Sequence, residues 1–292
     1  MIKKTIPAGR YVFAGFALAG LVCMSFVALC GGVQVARADA APRRIVSFNL
    51  CADQLLLALA DPGQIAGLSP YATNPALSVM KDAAANYRQT DWDAESVVNL
   101  APDLVLAGPS NRPTRAMLNA MGIRVVEVSL ISNLAEARQQ ARDIGALIGH
   151  PDRGEALARE LEQAEARLAA ASVKPPLTAL VVQRGGYSEG PVSLVAGMLS
   201  VAGLRPPANS PGGFGGFVSM EQLLIDGPDV LVLQDPPREA GDQGALFITH
   251  PALLARYGKN RRIDFPSRYS LCGGPALVQG LDYLTKSIKA LK

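Results

Sequence analysis

The sequence predicts an α/β protein of two Rossmann-like lobes with mainly parallel sheets, joined by one long rigid helix. Three observations carry this. Short apolar runs alternate with helical stretches from Arg43 onward, a pattern that belongs to parallel sheets covered on both faces. One uninterrupted helical stretch of about twenty residues, roughly 30 Å at 1.5 Å per residue, sits mid-chain. A helix–Pro-Asp–strand unit occurs once on each side of it.

Before the fold begins, residues 1–40 have the composition of an export leader. Lys3, Lys4 and Arg10 open it, an apolar run extends from Tyr11 to about Val35, and the small-residue triplets Ala36-Arg37-Ala38 and Ala38-Asp39-Ala40 follow. The run is long enough to span a bilayer, which needs about 20 apolar residues, so a retained anchor is the rival reading. Lipid attachment at Cys30 is a third, although Leu29 is bulky where a small residue is expected. The expected divisions are a leader at 1–40, an N-terminal lobe at 41–150, a connecting helix at 151–173 and a C-terminal lobe at 174–292.

The formal net charge of +3 belongs to the leader: Lys3, Lys4, Arg10 and Arg37 face only Asp39 there, and the remainder is neutral. No basic stripe is available to neutralise phosphates, which argues against a nucleic-acid partner. Of four cysteines, Cys23 and Cys30 fall in the leader; Cys51 and Cys272 stay with the body, where export would allow them to pair.

The elements follow in order. Arg44 to Phe48 is a buried strand. Asp53 to Ala60 is helical, with Leu55, Leu56 and Leu59 inward. Gln64 to Leu68, Leu104 to Ala107 and Arg124 to Val128 are further strands, with a helix over Thr114 to Met121. Asn133 to Ile148 is one helix. Asp152 to Ala171 is the long one, opening after Pro151 and closing before Pro175-Pro176. Its Leu157, Leu161, Ala164 and Leu168 share a stripe, and Glu155 and Arg159 form an i,i+4 pair. The pattern then restarts: strand at Leu177 to Gln183, helix at Val192 to Val201, strand at Val230 to Leu233, helix at Pro275 to Leu291.

Each repeat begins with a Glu on a short amphipathic helix. Glu95 leads to Pro102-Asp103 and the strand from Leu104; Glu221 leads to Pro228-Asp229 and the strand from Val230. Pro cannot continue a helix and pushes its predecessor out of the helical region, and a Glu near a helix N-terminus suits the dipole.

On these residues, together with Arg44-Ile45-Val46-Ser47 and the single mid-chain helix, the chain resembles the periplasmic binding proteins for ferric siderophores, haem and cobalamin. The resemblance covers Arg43 to Leu291. It implies that a bulky metal chelate, a corrinoid or a ferric siderophore, is held between the lobes by a protein that is no enzyme and has no cofactor of its own. Glu95 and Glu221 match the positions that dock onto basic residues of the permease, so the partners implied are the permease and ATPase subunits of an ABC importer at the inner membrane, met by a monomeric periplasmic protein. One carboxylate per lobe would set orientation and on-rate. The cobalamin-binding member has aromatics at positions resembling Tyr71 and Trp92; for Trp92, core packing is the alternative. Phe214 and Phe217 lie among glycines before Glu221. Arg268 and Tyr269 precede Cys272-Gly273-Gly274-Pro275, where the family places ligand contacts. Cys51 and Cys272 follow strands on loops directed at the cleft. Three readings stand open for them: a cross-lobe disulfide that limits opening, thiols ligating the chelated metal, or buried unpaired thiols.

Two rivals come from other classes. Gly186-Tyr187-Ser188-Glu189-Gly190 matches the G-x-S-x-G of α/β-hydrolases, with Asp235 and His250 following in the right order, but Pro191 stands where the elbow helix should run. A protein for bare zinc or manganese needs several His or carboxylate ligands, and His150 and His250 are the only histidines.

Overall fold

The computed structural model describes residues 41–109, 112–235 and 242–291. The leader, with Cys23, Cys30 and the cleavage triplets, lies outside the described residues. Within the unit 41–292, the first half contains β1 (Ile45–Phe48), α1 (Leu50–Leu59), β2 (Ile65–Gly67), α2 (Lys81–Ala84), α3 (Ala94–Val98), β3 (Leu104–Ala107), α4 (Arg112–Ala120) and β4 (Val125–Glu127). Helices α5 (Leu134–Leu147) and α6 (Pro151–Ala171) come next. The second half contains β5 (Leu177–Val182), β6 (Tyr187–Glu189), α7 (Leu194–Val201), β7 (Leu204–Arg205), β8 (Gly215–Phe217), α8 (Met220–Ile225), β9 (Val230–Leu233), α9 (Pro251–Arg256), β10 (Arg262–Asp264) and α10 (Pro275–Leu291).

The strands form two four-stranded parallel sheets, ordered β2-β1-β3-β4 and β7-β5-β9-β10. The second repeats the topology of the first. The Pro-Asp echo has a structural purpose in both. Asp103 precedes β3 and its carboxylate accepts the N–H groups of Arg43 and Arg44 at 2.6 and 3.1 Å. Asp229 precedes β9 and accepts from the Thr178 N–H at 2.9 Å and the Thr178 hydroxyl at 2.7 Å. Each aspartate therefore satisfies backbone donors that the neighbouring central strand leaves unpaired at its start.

Alternation along the strands sorts residues between two faces. Ile45, Leu104 and Leu106 from the first sheet share one buried cluster with Ala179, Val181, Val230 and Val232 from the second, bridged by Leu55, Leu157, Leu161 and Leu277 of the helices. The opposite faces bury separate clusters, around Val46, Phe48 and Val105, and around Val182, Leu231 and Leu233. Helix α6 packs against α5 and α10, burying Leu157, Leu161, Ala164 and Leu168. Glycines permit the close crossing of α5 and α6: a Cβ on Gly145 would stand 2.7 Å from the Gly154 Cα. Glu155 uses its carboxylate across this interface, with Arg142 of α5 at 2.7 Å, rather than with the expected Arg159 alone.

Two elements depart from expectation. Helix α1 begins at Leu50, because the Asn49 side chain accepts the N–H groups of Cys51 and Ala52 at 2.9 and 3.2 Å, a regular N-cap. Cys51 therefore lies in the first helical turn, not on a loop. The glycine-rich stretch before Glu221 contributes β8, which pairs antiparallel with β6 as a small hairpin sheet.

Candidate functional site

The candidate site lies at the carboxyl end of β1, the edge at which open α/β sheets bind ligands. A cavity of about 600 Å³ opens there. Phe48 and Asn49 end the strand, Leu50 and Cys51 begin α1, and Tyr71 and Leu77 come from the loop after β2. Trp92 comes from the segment before α3, and Leu271 reaches in from the second half of the chain. Two further cavities measure about 490 Å³ beside β4 and α5 and about 390 Å³ beside β9 and β10.

The wall of this groove is a ring cluster. Trp92 meets Phe48 edge-on at 5.3 Å between centroids and Tyr71 at 4.9 Å. Phe48 is 1% exposed, whereas Tyr71 and Trp92 are 44% and 43% exposed. The buried ring is thus a support, and the other two leave much of their surface open at the groove. Trp92 packs on one side and faces the groove on the other.

The second half closes the groove through two cross-lobe ties. Cys51 and Cys272 form a disulfide, with Cα atoms 5.1 Å apart and a sequence separation of 221. The adjoining backbone hugs the first half: Gly274 has φ +67, and a Cβ there would lie 3.0 Å from the Leu55 side chain. The second tie is Arg268, whose guanidinium donates to the Pro75 carbonyl at 3.2 Å, on the loop that carries Tyr71 and Leu77.

Arg268 and Tyr269 thus differ from expectation in what they do. The Arg268 guanidinium lies 5.1 Å from the centre of the Tyr269 ring and reaches across to Pro75. Tyr269 turns inward, with Phe265 and Tyr283 at 5.9 and 5.4 Å, because its ring completes the packing under α10. Phe214 and Phe217 stand on the hairpin, 80% and 79% exposed, and do not line the groove. The Tyr187 hydroxyl donates to the Phe214 carbonyl at 3.1 Å, and its ring meets Phe217 at 5.7 Å.

Composition did not single out the polar groups that close the carboxyl ends of the second sheet. The Gln183 amide donates to Glu189 at 2.7 Å and Gln234 at 2.9 Å, and Gln234 donates to Ser270 at 3.1 Å. Burial pushes the Glu189 carboxyl above its ordinary range, and hydrogen bonds from Ser193 and Gln183 oppose this. In the first half, Asp53 of α1 is fully buried. Burial drives its pKa from 3.8 up to about 7 against the pull of Ser47 and Ser69.

Glu95 and Glu221 occupy the same place in the two halves. Each is the second residue of its short helix, exposed, behind a side-chain cap: Asp93 accepts from the Ser96 N–H and Ser219 from the Gln222 N–H. Hydrogen bonds from its own backbone and from Ser219 hold the Glu221 carboxyl below its ordinary range.

The hydrolase constellation does not form. Ser188 lies within strand β6, fully buried, with its hydroxyl lacking a hydrogen-bond partner, and no strand–turn–helix elbow surrounds it. His250 accepts the Ala252 N–H as a helix cap, and Asp235 accepts from Ser267. His150 sits between α5 and α6, 2.7 Å from Gln64 and 3.6 Å from Asp61. Among the described residues no three His, Cys, Asp or Glu gather as a metal site.

A family model described as periplasmic binding protein matches residues 45–263. The chain belongs to the periplasmic binding protein family. It is 26% identical over 204 residues to the cobalamin-binding protein of Halobacterium salinarum, an alignment covering 66% of this chain and 54% of that one. The chain thus spans about half the length of the curated relatives it matches. Solved periplasmic binding proteins share the fold. The heme-binding protein RhuT from Roseiflexus sp. RS-1, in apo form, superposes with a TM-score of 0.69 at 23% identity, covering 86% of this chain and 99% of that one. The vitamin B12 binding protein BtuF of Vibrio cholerae superposes with a TM-score of 0.66 at 17% identity over the same shares. At these identities the likeness speaks for the architecture of two similar sheets around a helical spine.

Proposed function

We propose that the chain is the solute-binding component of an ABC importer, exported by a leader at about 1–40 and acting as a periplasmic monomer. It captures a metal chelate between lobes at 41–150 and 174–292, joined by the helix of 151–173. The observation that carries this reading is the exposed pair Tyr71 and Trp92, backed by Phe48 and enclosed from the other half by Leu271. Such a wall suits a large, flat or rigid ligand that presents apolar surface.

A corrinoid stands first among the chelates and a ferric siderophore or haem second. Among the described residues the groove lining holds no charged side chain. The lining thus favours a bulky ligand whose polar edge is uncharged. Arg268, with Phe214 and Phe217 on the hairpin, would flank the rim when the second lobe closes. Glu95 and Glu221 would present the loaded protein to cationic residues of the permease, both lobes at once.

A titration of Trp92 emission with cyanocobalamin, cobinamide, a ferric hydroxamate, a ferric catecholate and haem tests the proposal. Saturable quenching by one of these, matched by calorimetry, is expected. Calorimetric binding without any response of Trp92 would remove it from the site, and no binding of any of the five would sink the chelate reading.

A further inference from the structure

We propose that Asp53 is a positioning residue for the groove: through Ser69, its carboxylate sets the backbone that carries Tyr71 against Trp92. Asp53 belongs to the first turn of α1, the same turn that carries the groove residues Leu50 and Cys51. One carboxylate oxygen accepts the Ser69 N–H at 2.9 Å and the other accepts the Ser69 hydroxyl at 2.5 Å. The Ser69 oxygen in turn accepts the Tyr71 N–H at 3.3 Å. The relay thus runs from the buried face of α1 to the ring stacked 4.9 Å from Trp92.

A helix that needed only to fill its inner face would carry another Leu here, as at 55, 56 and 59, all of them buried. A buried carboxylate is costly unless its oxygens are satisfied, and those of Asp53 are satisfied by the donors that shape the Tyr71 loop. The groups facing it are Ser47 from β1 and Ser69 from the loop after β2, both neutral. Burial, which raises the pKa, and the hydrogen bonds from Ser47 and Ser69, which lower it, set its titration. With its pKa near 7, the ionised form accepts both Ser69 donors and fixes the loop. Protonation turns one oxygen into a donor, weakens the charge-assisted bonds and loosens the placement of Tyr71. Ligand affinity then falls as the medium turns acid. The affinity half of this proposal rests on the binding role given to the groove; the positioning half does not.

The test uses ligand-free protein and the emission of Trp92, the only tryptophan in the chain. Between roughly pH 5 and 9 the wild type should show one transition with its midpoint near 7. Asp53→Asn, which cannot titrate, should be flat across the range, and so should Ser69→Ala, which cuts the relay while sparing the helix. Every other group is common to all three proteins, so the difference between the curves isolates Asp53. A flat wild-type curve, or a wild-type transition in both variants, would overturn the proposal. Should Asp53→Asn fail to fold, Ser69→Ala decides alone. A second arm measures cyanocobalamin affinity, expected to weaken about threefold to tenfold from pH 8 to pH 6 in the wild type, the scale of one hydrogen bond, and to stay level in Asp53→Asn. Absence of cyanocobalamin binding at every pH refutes the corrinoid reading, while the emission curves still judge Asp53.

Discussion

Asp103 and Asp229 hold the same station in their two sheets: each stands just before one strand and caps the first residues of its neighbour. Asp103 reaches Arg43 and Arg44, and Asp229 reaches Thr178. Asp103→Ala and Asp229→Ala should each lower stability by about 1 kcal/mol, below the usual range for charge-assisted bonds because both sites are open to solvent. Urea unfolding measures this. The Thr178 bonds hold the Asp229 carboxyl below its ordinary range. Its contribution is therefore present above the unfolded pKa and is lost as pH falls through the lowered folded value. The wild type and Asp229→Ala should converge in acid.

Asp53 has the opposite linkage. Its folded pKa of about 7 lies above the unfolded value of 3.8, so the folded state holds a proton that the unfolded state has released. Its favourable contribution is complete below pH 3.8 and disappears as pH rises through 7. Thermal unfolding of the wild type should lose stability across that window relative to Asp53→Asn. A parallel pH dependence in the two proteins would contradict the burial assigned to this carboxylate.

Trp92→Ala should weaken chelate binding by about 2 kcal/mol, roughly thirtyfold, because it removes a large half-exposed ring and its stacking. Ser188→Ala should leave binding unchanged, since its hydroxyl is sealed inside β6. Calorimetry on both variants separates groove from hairpin. Loss of an ester-cleaving activity on Ser188→Ala would reopen the hydrolase reading.

Reversing both docking carboxylates, as Glu95→Lys with Glu221→Lys, should cut transport by about tenfold or more while leaving ligand affinity intact, as expected for charges that steer association. Each side chain is exposed and outside the groove lining, so the groove's own contacts stay in place. Undiminished uptake by the double variant removes the docking role.

Replacing Cys51 and Cys272 by Ser should cost about 2–4 kcal/mol, the usual range for a long-loop crosslink. It should also leave Arg268 to hold the rim alone. Small-angle scattering of the ligand-free variant should then detect a wider opening than in the wild type. Identical profiles would mean that helix packing, and not the disulfide, fixes the separation.

Much of the fold could be read from the sequence because its signals are local. The apolar runs at Val230 to Leu233 and Leu104 to Ala107, and the stripe through Leu157, Leu161 and Leu168, report their own burial. The Pro-Asp pairs mark both ends of helix and strand within ten residues. The extent of α1 was legible too, had Asn49 been weighed as a cap; reading the helix from its apolar period alone put Cys51 on a loop. The hairpin was not legible, since Gly213 to Gly216 give no strand pattern and the pairing of Gly215 with Glu189 is decided across 26 residues. The site was harder still. Tyr71 and Trp92 came from resemblance, whereas the reach of Arg268 to Pro75 and the relay from Asp53 to Tyr71 depend on neighbours brought together only by the finished sheet. Tyr269 shows the same limit, because nothing in a short run of sequence says whether a ring turns inward.

The sequence separation of 221 between Cys51 and Cys272 also imposes a timetable. In a chain that emerges with its N-terminus first, nearly the whole polypeptide must appear before the second sulfur does. Only the face of the first sheet around Val46, Phe48 and Val105 can therefore pack from its own half while Cys51 is still a free thiol in the first turn of α1. The bond can close only after α5 and α6 have brought the last segment back onto α1. Oxidation is thus a seal set on an assembled molecule. A chain released short of Cys272 would carry an exposed, reactive sulfur at the edge of its own groove, a chemical mark by which unfinished copies differ from finished ones.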